Sequence, residues 1–230
     1  MGAVFALIAF AVVFMVIKGA AAGGGSNYDS LVASGVPARG ILLQVANTGM
    51  KVGSVSRRFE LRQDGDVTTH AVAVLAAPRE LADPLTWCAL APPVAPSWRT
   101  IEPVRPGAWP EFGQHFEWRI VTGVPFSGGE PETIGWVRAR APGDARDAAY
   151  LAALIDVWFP AVLVRMPAMR PMATTAYELE IVELPTGDAP LLYRGRVDVA
   201  RDGYYFERRE LWTDDGRLLA INHQTFTVIK

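Results

Sequence analysis

The sequence predicts an α+β domain in its C-terminal half, a single helix held against an antiparallel sheet, on three observations. An apolar helical stripe begins at Asp147, four strand-like runs follow it in close succession, and short Asp-Gly turns join the last three of them. The helix reads as DAAYLAALIDVWFPAV, with Asp147 as N-cap or first-turn acid, Leu151, Leu154, Ile155 and Trp158 on one stripe, and Pro160 ending or bending it. The expected strands are 174–183, 191–200, 204–213 and 218–228, with turns at Pro185-Thr-Gly-Asp188, Arg201-Asp-Gly203 and Asp214-Asp-Gly216. Ahead of the helix, 114–121 alternates, placing Phe116, Trp118 and Ile120 opposite His115, Glu117, Arg119 and Val121, and 134–140 reads as a further strand. A bent meander can bury one helix on its apolar face and a second layer on the other.

The N-terminal half has a different texture. Gly2–Ile17 is a run of 16 residues without a charge, ending at Lys18 and extended by small residues to Ala22. That is slightly under the roughly 20 residues of a full crossing, but Lys18 can snorkel. The expectation is a retained transmembrane helix over 1–22. A cleaved signal peptide is the rival, opposed by the absence of a basic residue before the run and by Lys18 after it. Lys18, Arg39 and Lys51 all follow the segment, so the positive-inside tendency puts the body in the cytoplasm. Residues 23–51 read as linker with one short strand at 40–46. Arg57–Leu61 and Thr69–Val74 form a hairpin about Gln63-Asp-Gly-Asp66, within a sheet region over 52–77. Eight prolines then crowd Ala77–Pro110, too many for a central strand, so 78–111 is expected to be an ordered connection pinned by Trp87, Trp98 and Trp109.

Composition narrows the function. The net charge is -2, and the 22 basic residues are scattered, which gives no electropositive footprint for nucleic acid. Cys88 is the single cysteine, which excludes a disulfide framework, and His70, His115 and His223 have no ligand spacing. Neither a phosphate-binding nor a dinucleotide fingerprint is present, so no cofactor or metal is expected.

Four segments carry a resemblance: Ala148-Ala-Tyr-Leu-Ala-Ala-Leu-Ile-Asp156, Met172-Ala-Thr-Thr-Ala-Tyr-Glu-Leu179, Arg201-Asp-Gly-Tyr-Tyr-Phe-Glu207 and Asp215-Gly-Arg-Leu-Leu-Ala-Ile-Asn-His-Gln224. In their order they resemble the double hot-dog acyl-CoA thioesterases, the family of bacterial thioesterase II. The resemblance covers 112–230 as one complete hot-dog domain and extends more weakly to Arg57–Gly65, which looks like the second half of a first repeat. That first repeat looks truncated, because the membrane segment and linker occupy the place of its helix. A sheet surface is thereby left exposed unless the preamble, a second copy of the chain or lipid covers it; a homo-oligomer is expected.

The resemblance implies hydrolysis of acyl-CoA or a related acyl thioester by a water held between a helix Asp, a strand Thr and a strand Gln. These correspond to Asp156, Thr174 and Gln224. Asp156 shares a helix face with Ala152 and Phe159, Thr175 should point away from Thr174, and Ala176 stands where the family commonly has an acidic residue. Gln224 needs a buried partner, whereas His223 should face outward. Amides near the helix start are expected to receive the developing oxyanion. The alternatives are a non-catalytic acyl-binding or membrane scaffold, favoured by the truncation and by Ala176, and a hydratase, for which neither His115 nor His223 is suitably placed.

Overall fold

The computed structural model describes residues 39–46, 54–63, 66–76, 81–105, 111–144 and 146–229. The membrane segment expected at 1–22 and most of the linker after it lie outside the described residues, as does Trp109. Among the described residues no helix is long and apolar enough to cross a membrane. The described chain divides into two compact units.

The first unit is a three-stranded antiparallel sheet of β1 (Arg39–Ala46), β2 (Ser54–Gln63) and β3 (Asp66–Ala76), in that order. Gln63 pairs with Asp66, so the expected hairpin is present, and Glu60 faces His70 in its ladder. On β3, Val72 and Val74 point away from Ala71 and Ala73 and are about two-thirds exposed, at 66% and 65%.

The second unit begins at Leu90 and is a six-stranded antiparallel sheet with one α-helix. Its strands are β4 (Phe116–Thr122), β5 (Glu132–Ala139), β6 (Met172–Ile181), β7 (Leu191–Arg201), β8 (Tyr204–Trp212) and β9 (Leu218–Val228), and the helix α1 is Ala148–Asp156. The sheet order is β4-β5-β7-β8-β9-β6. The chain leaves β5, runs through α1, enters β6 at the far edge and returns to pair β7 with β5. This is the hot-dog arrangement, a sheet curled about one helix.

Local chemistry sets each joint. Asp147 caps α1, its Oδ1 accepting from Tyr150 N at 3.0 Å. Asp202 and Gly203 both have positive φ, 53° and 83°, which makes the two-residue turn that matches strand twist between Arg201 and Tyr204. Between β8 and β9, Gly216 sits at φ 87° and Thr213 pairs with Arg217 across the turn. Pro160 does not bend the helix but follows its end. Val157 closes the last turn, and a 3-10 turn at Ala161–Val164 comes next.

The inner face of the sheet holds the main core: Trp118, Val137, Tyr193, Leu211, Leu219 and Ala220 against Leu151, Leu154, Ile155 and Trp158. Trp158 lies flat against the sheet because position 135 is glycine. A Cβ there would stand 2.5 Å from the indole. The indole stacks on Tyr193 at 4.7 Å and donates to Thr133 Oγ1 at 3.1 Å. Residues 90–101 of the proline-rich segment lie on the outer face. Trp136 donates to Pro96 O at 3.0 Å, Arg194 to Ala91 O at 3.2 Å, and Arg119 to the carbonyls of Trp98 and Ile101. Of the tryptophans expected to pin this connection, Trp98 is half-buried beside Arg119, but Trp87 is 78% exposed. The physical reason is position: the segment that meets the outer face starts at Leu90, beyond Trp87.

Strand alternation from sequence misplaces one residue of β9. Leu211 pairs with Ala220 but Trp212 pairs with Leu218, so Leu219 is an extra residue in the ladder. Leu219 therefore enters the inner core, and Leu218 joins Trp212 on the outer face instead of sharing a side with Ala220.

Candidate active site

The three residues singled out in sequence come together at the carboxyl end of α1. Asp156 is the last helical residue, with Ala152 buried one turn before it. Gln224, 3% exposed on the inner face of β9, donates from Nε2 to Asp156 Oδ1 at 2.5 Å. Thr174 Oγ1 donates to Gln224 Oε1 at 3.4 Å. The amide thus has the buried partner it requires, and its direction follows from the network, since only its nitrogen can donate to a carboxylate. His223 faces outward and is about half exposed, as its parity demands.

A bulge in β6 shapes the far side. Thr174 pairs with Phe226 and Ala176 with Thr225, leaving Thr175 as the extra residue. Thr175 is exposed and donates to Thr225 O, while Thr174 and Tyr177 both reach inward despite being three positions apart. Ala176 is exposed as well, so the acidic residue absent there leaves no gap among Asp156, Thr174 and Gln224.

Three further groups stand behind this trio, none of them assigned from sequence. Arg209 and Glu207 project inward from β8, 1% and 2% exposed. Arg209 Nε donates to Glu207 Oε1 at 2.8 Å, and its Nη1 donates to the carbonyls of Ile155 and Asp156 at 3.2 and 3.3 Å. The same Nη1 is 3.5 Å from Asp156 Oδ1. Glu207 Oε2 accepts from Ala161 N at 2.7 Å. A cation thus caps the negative end of the helix, where two orphan carbonyls need donors. Tyr193 completes the group. Gly195 makes room for its hydroxyl, which lies near the Glu207 carboxylate without closing a hydrogen bond of good geometry.

The sequence did carry a signal for Glu207 and Arg209. They occupy the same parity as Leu211, so an acid and a base two residues apart face the core of an otherwise apolar strand. Complementary charges at buried parity are expected only as a pair.

Burial disfavours ionisation throughout. It pushes the Asp156 carboxyl above its ordinary value, against the opposing pull of Arg209 and of the Gln224 hydrogen bond. Glu207 is likewise raised by burial, with Arg209 again acting downward. Burial and the nearby Asp156 push the Tyr177 phenol well up. The expected role of the helix start does not hold. Tyr150 N is already taken by Asp147, and nine residues place that end about 12 Å from Asp156.

Among the described residues, the one grouping with metal-type ligands is Glu178, Glu180 and His223, exposed on the outward face of β6 and β9, away from Asp156.

The comparisons with known proteins agree with this fold. The family model for the acyl-CoA thioesterase C-terminal domain matches residues 88–228. The chain belongs to the acyl-CoA thioesterase family, through a C-terminal hot-dog domain. Thioester hydrolysis is the activity of that class, and the Asp-Gln-Thr hydrogen-bonded group is in keeping with it. Among solved structures, a conserved hot-dog protein of unknown function from Alicyclobacillus acidocaldarius is 26% identical with a TM-score of 0.71, covering 80% of this chain and 71% of its own. An acyl-CoA thioesterase II from Mycobacterium marinum shares the fold at 19% identity and a TM-score of 0.62, over 87% and 86% of the two chains. A tesB protein from Mycobacterium avium subsp. paratuberculosis does so at 16% and 0.61, over 83% and 70%. No functionally curated protein matches the chain.

Proposed function

We propose that the chain hydrolyses acyl-CoA or a related acyl thioester with a water activated by Asp156 and oriented by Gln224 and Thr174. The observation that carries this reading is the short Gln224–Asp156 contact, 2.5 Å, extended to Thr174, with burial raising the affinity of the carboxylate for a proton. A base too weak to take a proton from water is improved by that rise, provided it is still ionised at the working pH. The water gives its proton to Asp156 while its oxygen adds to the thioester carbonyl. Collapse of the tetrahedral intermediate breaks the C–S bond. The proton on Asp156 then returns to the departing thiolate, which leaves a carboxylic acid and a free thiol. No covalent nucleophile is needed, because a thioester carbonyl is already electrophilic.

The test is release of free thiol from a short-chain and a long-chain acyl-CoA by the purified full chain. Turnover of either supports hydrolysis. Saturable acyl-CoA binding with no thiol release would favour the non-catalytic acyl-binding reading instead.

The same proposal extends to the rest of the chain. Residues 1–22 anchor it in a membrane and the C-terminal domain faces the cytoplasm, where CoA thioesters occur; the uncharged run ending at Lys18 supports this. Residues 52–77 are the remainder of a first hot-dog repeat, 78–111 the connection, and 112–230 the complete domain. The exposure of Val72 and Val74 supports a second copy of the chain covering that sheet. Membrane fractionation of the full chain, and its mass by light scattering in detergent, test the two extensions separately.

A further inference from the structure

We propose that Arg209, locked in place by Glu207, is a positioning residue for the hydrolysis, tying the Asp156 carboxylate to the carboxyl end of α1 and holding it as the proton-accepting anion. The proposal rests on the reading of Asp156 as the base.

The geometry is what singles out Arg209. Its guanidinium is fully buried yet reaches three different acceptors around one residue boundary: Ile155 O, Asp156 O and the Asp156 carboxylate. A residue that only closed the end of a helix would need the two carbonyls and nothing more. The carboxylate of Asp156 is thus held through Oδ1 by two partners, Gln224 at 2.5 Å and Arg209 at 3.5 Å, on the last residue of a helix that has no further turn to fix its side chain. Arg209 is itself immobilised. Its Nε is taken by Glu207 Oε1, the other oxygen of Glu207 is taken by Ala161 N, and the guanidinium stands 5.2 Å over the Phe226 ring. The chain Ala161–Glu207–Arg209–Asp156 therefore runs without a break from the turn after the helix to the reactive group.

Charge makes the arrangement more than a brace. The groups facing Asp156 are Tyr177 from β6, Tyr193 from β7, Glu207 and Arg209 from β8, and Gln224 from β9. Arg209 is the one cation among them, set against two carboxylates. Burial would leave Asp156 protonated over a wider pH range, and Arg209 is the largest influence opposing it. Glu207 acts in the other sense: it and Asp156 repel each other, so each makes the other harder to ionise. The two partners of this ion pair thus pull the base in opposite directions, which a purely structural pair would not do.

The experiment reads turnover of the full chain at saturating acyl-CoA as a function of pH, with a thermal melt of each variant as a check of folding. The acid limb of that profile follows ionisation of the base in the substrate complex. Arg209→Met should move the limb to higher pH by about one unit or more, which is about a tenfold loss at a pH on the limb. Arg209→Lys keeps the charge and should leave the limb within about half a unit while lowering the plateau, because its single nitrogen cannot serve Glu207 and the three acceptors at the helix end at once. Glu207→Gln, near in shape and the variant that decides if Arg209→Met does not fold, should move the limb to lower pH. Limbs that stay where they are in the folded variants, with rates falling evenly at every pH, would overturn the proposal and leave a structural ion pair. Full turnover in Asp156→Asn would instead remove the base reading, and this inference with it. An inactive Asp156→Asn beside unmoved limbs removes the inference alone.

Discussion

Strand β8 buries a carboxylate on each of its faces, each paired with an arginine, and the two pairs are built differently. On the outer face, Glu210 is 1% exposed and holds Arg194 through Nε and Nη2 at 3.0 and 2.5 Å. It also accepts from Trp212 Nε1 at 3.0 Å and has Arg208 at 3.5 Å. One carboxylate there is surrounded by two cations and an indole donor, under the proline-rich connection. On the inner face the balance is reversed, since Asp156 and Glu207 share the single cation Arg209. The outer pair satisfies every demand of burial and has nothing left to offer a substrate. The inner group is left with an excess of negative charge, at the point where the helix ends and where Gln224 and Thr174 converge. On the proposed mechanism, stability is concentrated on one side of the strand and reactivity on the other.

The largest effect that would separate the two faces is on turnover. Asp156→Asn keeps the shape and an acceptor for Gln224 Nε2 but removes the charge that takes a proton. Turnover at saturating acyl-CoA should fall about 100- to 10,000-fold, roughly 3 to 5 kcal/mol of transition-state stabilisation. Steady-state thiol release gives this directly. Unchanged turnover in a folded variant would break the assignment of reactivity to the inner face.

The matching change on the outer face should act on stability alone. Glu210→Ala strands Arg194 and the Trp212 indole beneath the connection, a loss of about 3 kcal/mol. Chemical denaturation should show that loss, while turnover per folded molecule stays at the parent level. A drop in turnover without a drop in stability would show that the faces are coupled. Thr174→Val, a smaller perturbation on the inner side, removes only the hydroxyl that orients Gln224. It should lower turnover about tenfold, or about 1.4 kcal/mol, and leave the melt near the parent value.

How far these two faces can be read from sequence depends on which rule governs each. The helix, its Asp147 cap, all four strands after it and the trio Asp156, Thr174 and Gln224 are legible, because periodicity, turn chemistry and family resemblance act locally. The bulges at Thr175 and Leu219 are not. An extra residue in a ladder is decided by pairing with a distant strand, and it moved Leu218 to the wrong face in a strict alternation. Glu207 and Arg209 share the parity of Leu211, but that they meet Asp156 follows only from β8 lying beside β9 under the end of the helix. Trp87 shows the opposite failure: an aromatic residue was expected to pin the connection, and the connection first meets the sheet three residues later. The N-terminal apolar run lies outside the described residues, so its role rests on sequence alone.

The smallest predicted effect concerns stability and pH, and it tests whether the inner face is as ill-suited to charge as its composition implies. Burial holds the folded Asp156 carboxyl above its usual value of 3.8, Arg209 and Gln224 notwithstanding. Between the unfolded and the folded value, the folded protein therefore binds more protons than the unfolded chain, and stability must fall as pH rises through that window. The contribution of Asp156 is fully present below the usual value and is gone once the folded group has ionised. Asp156→Asn has no such proton to lose. The melting temperature of the variant relative to the parent should accordingly climb from the acid end of the window and level off above it, by about 1.4 kcal/mol in free energy for each unit of displacement. Glu207 is raised as well but is present in both proteins, so it cancels to first order in the difference. Paired melts across mildly acidic to neutral pH measure the effect. A difference that ran the other way, with the parent gaining on the variant as pH rises, would mean that Arg209 and Gln224 more than offset burial, and the inner face would then resemble the outer one.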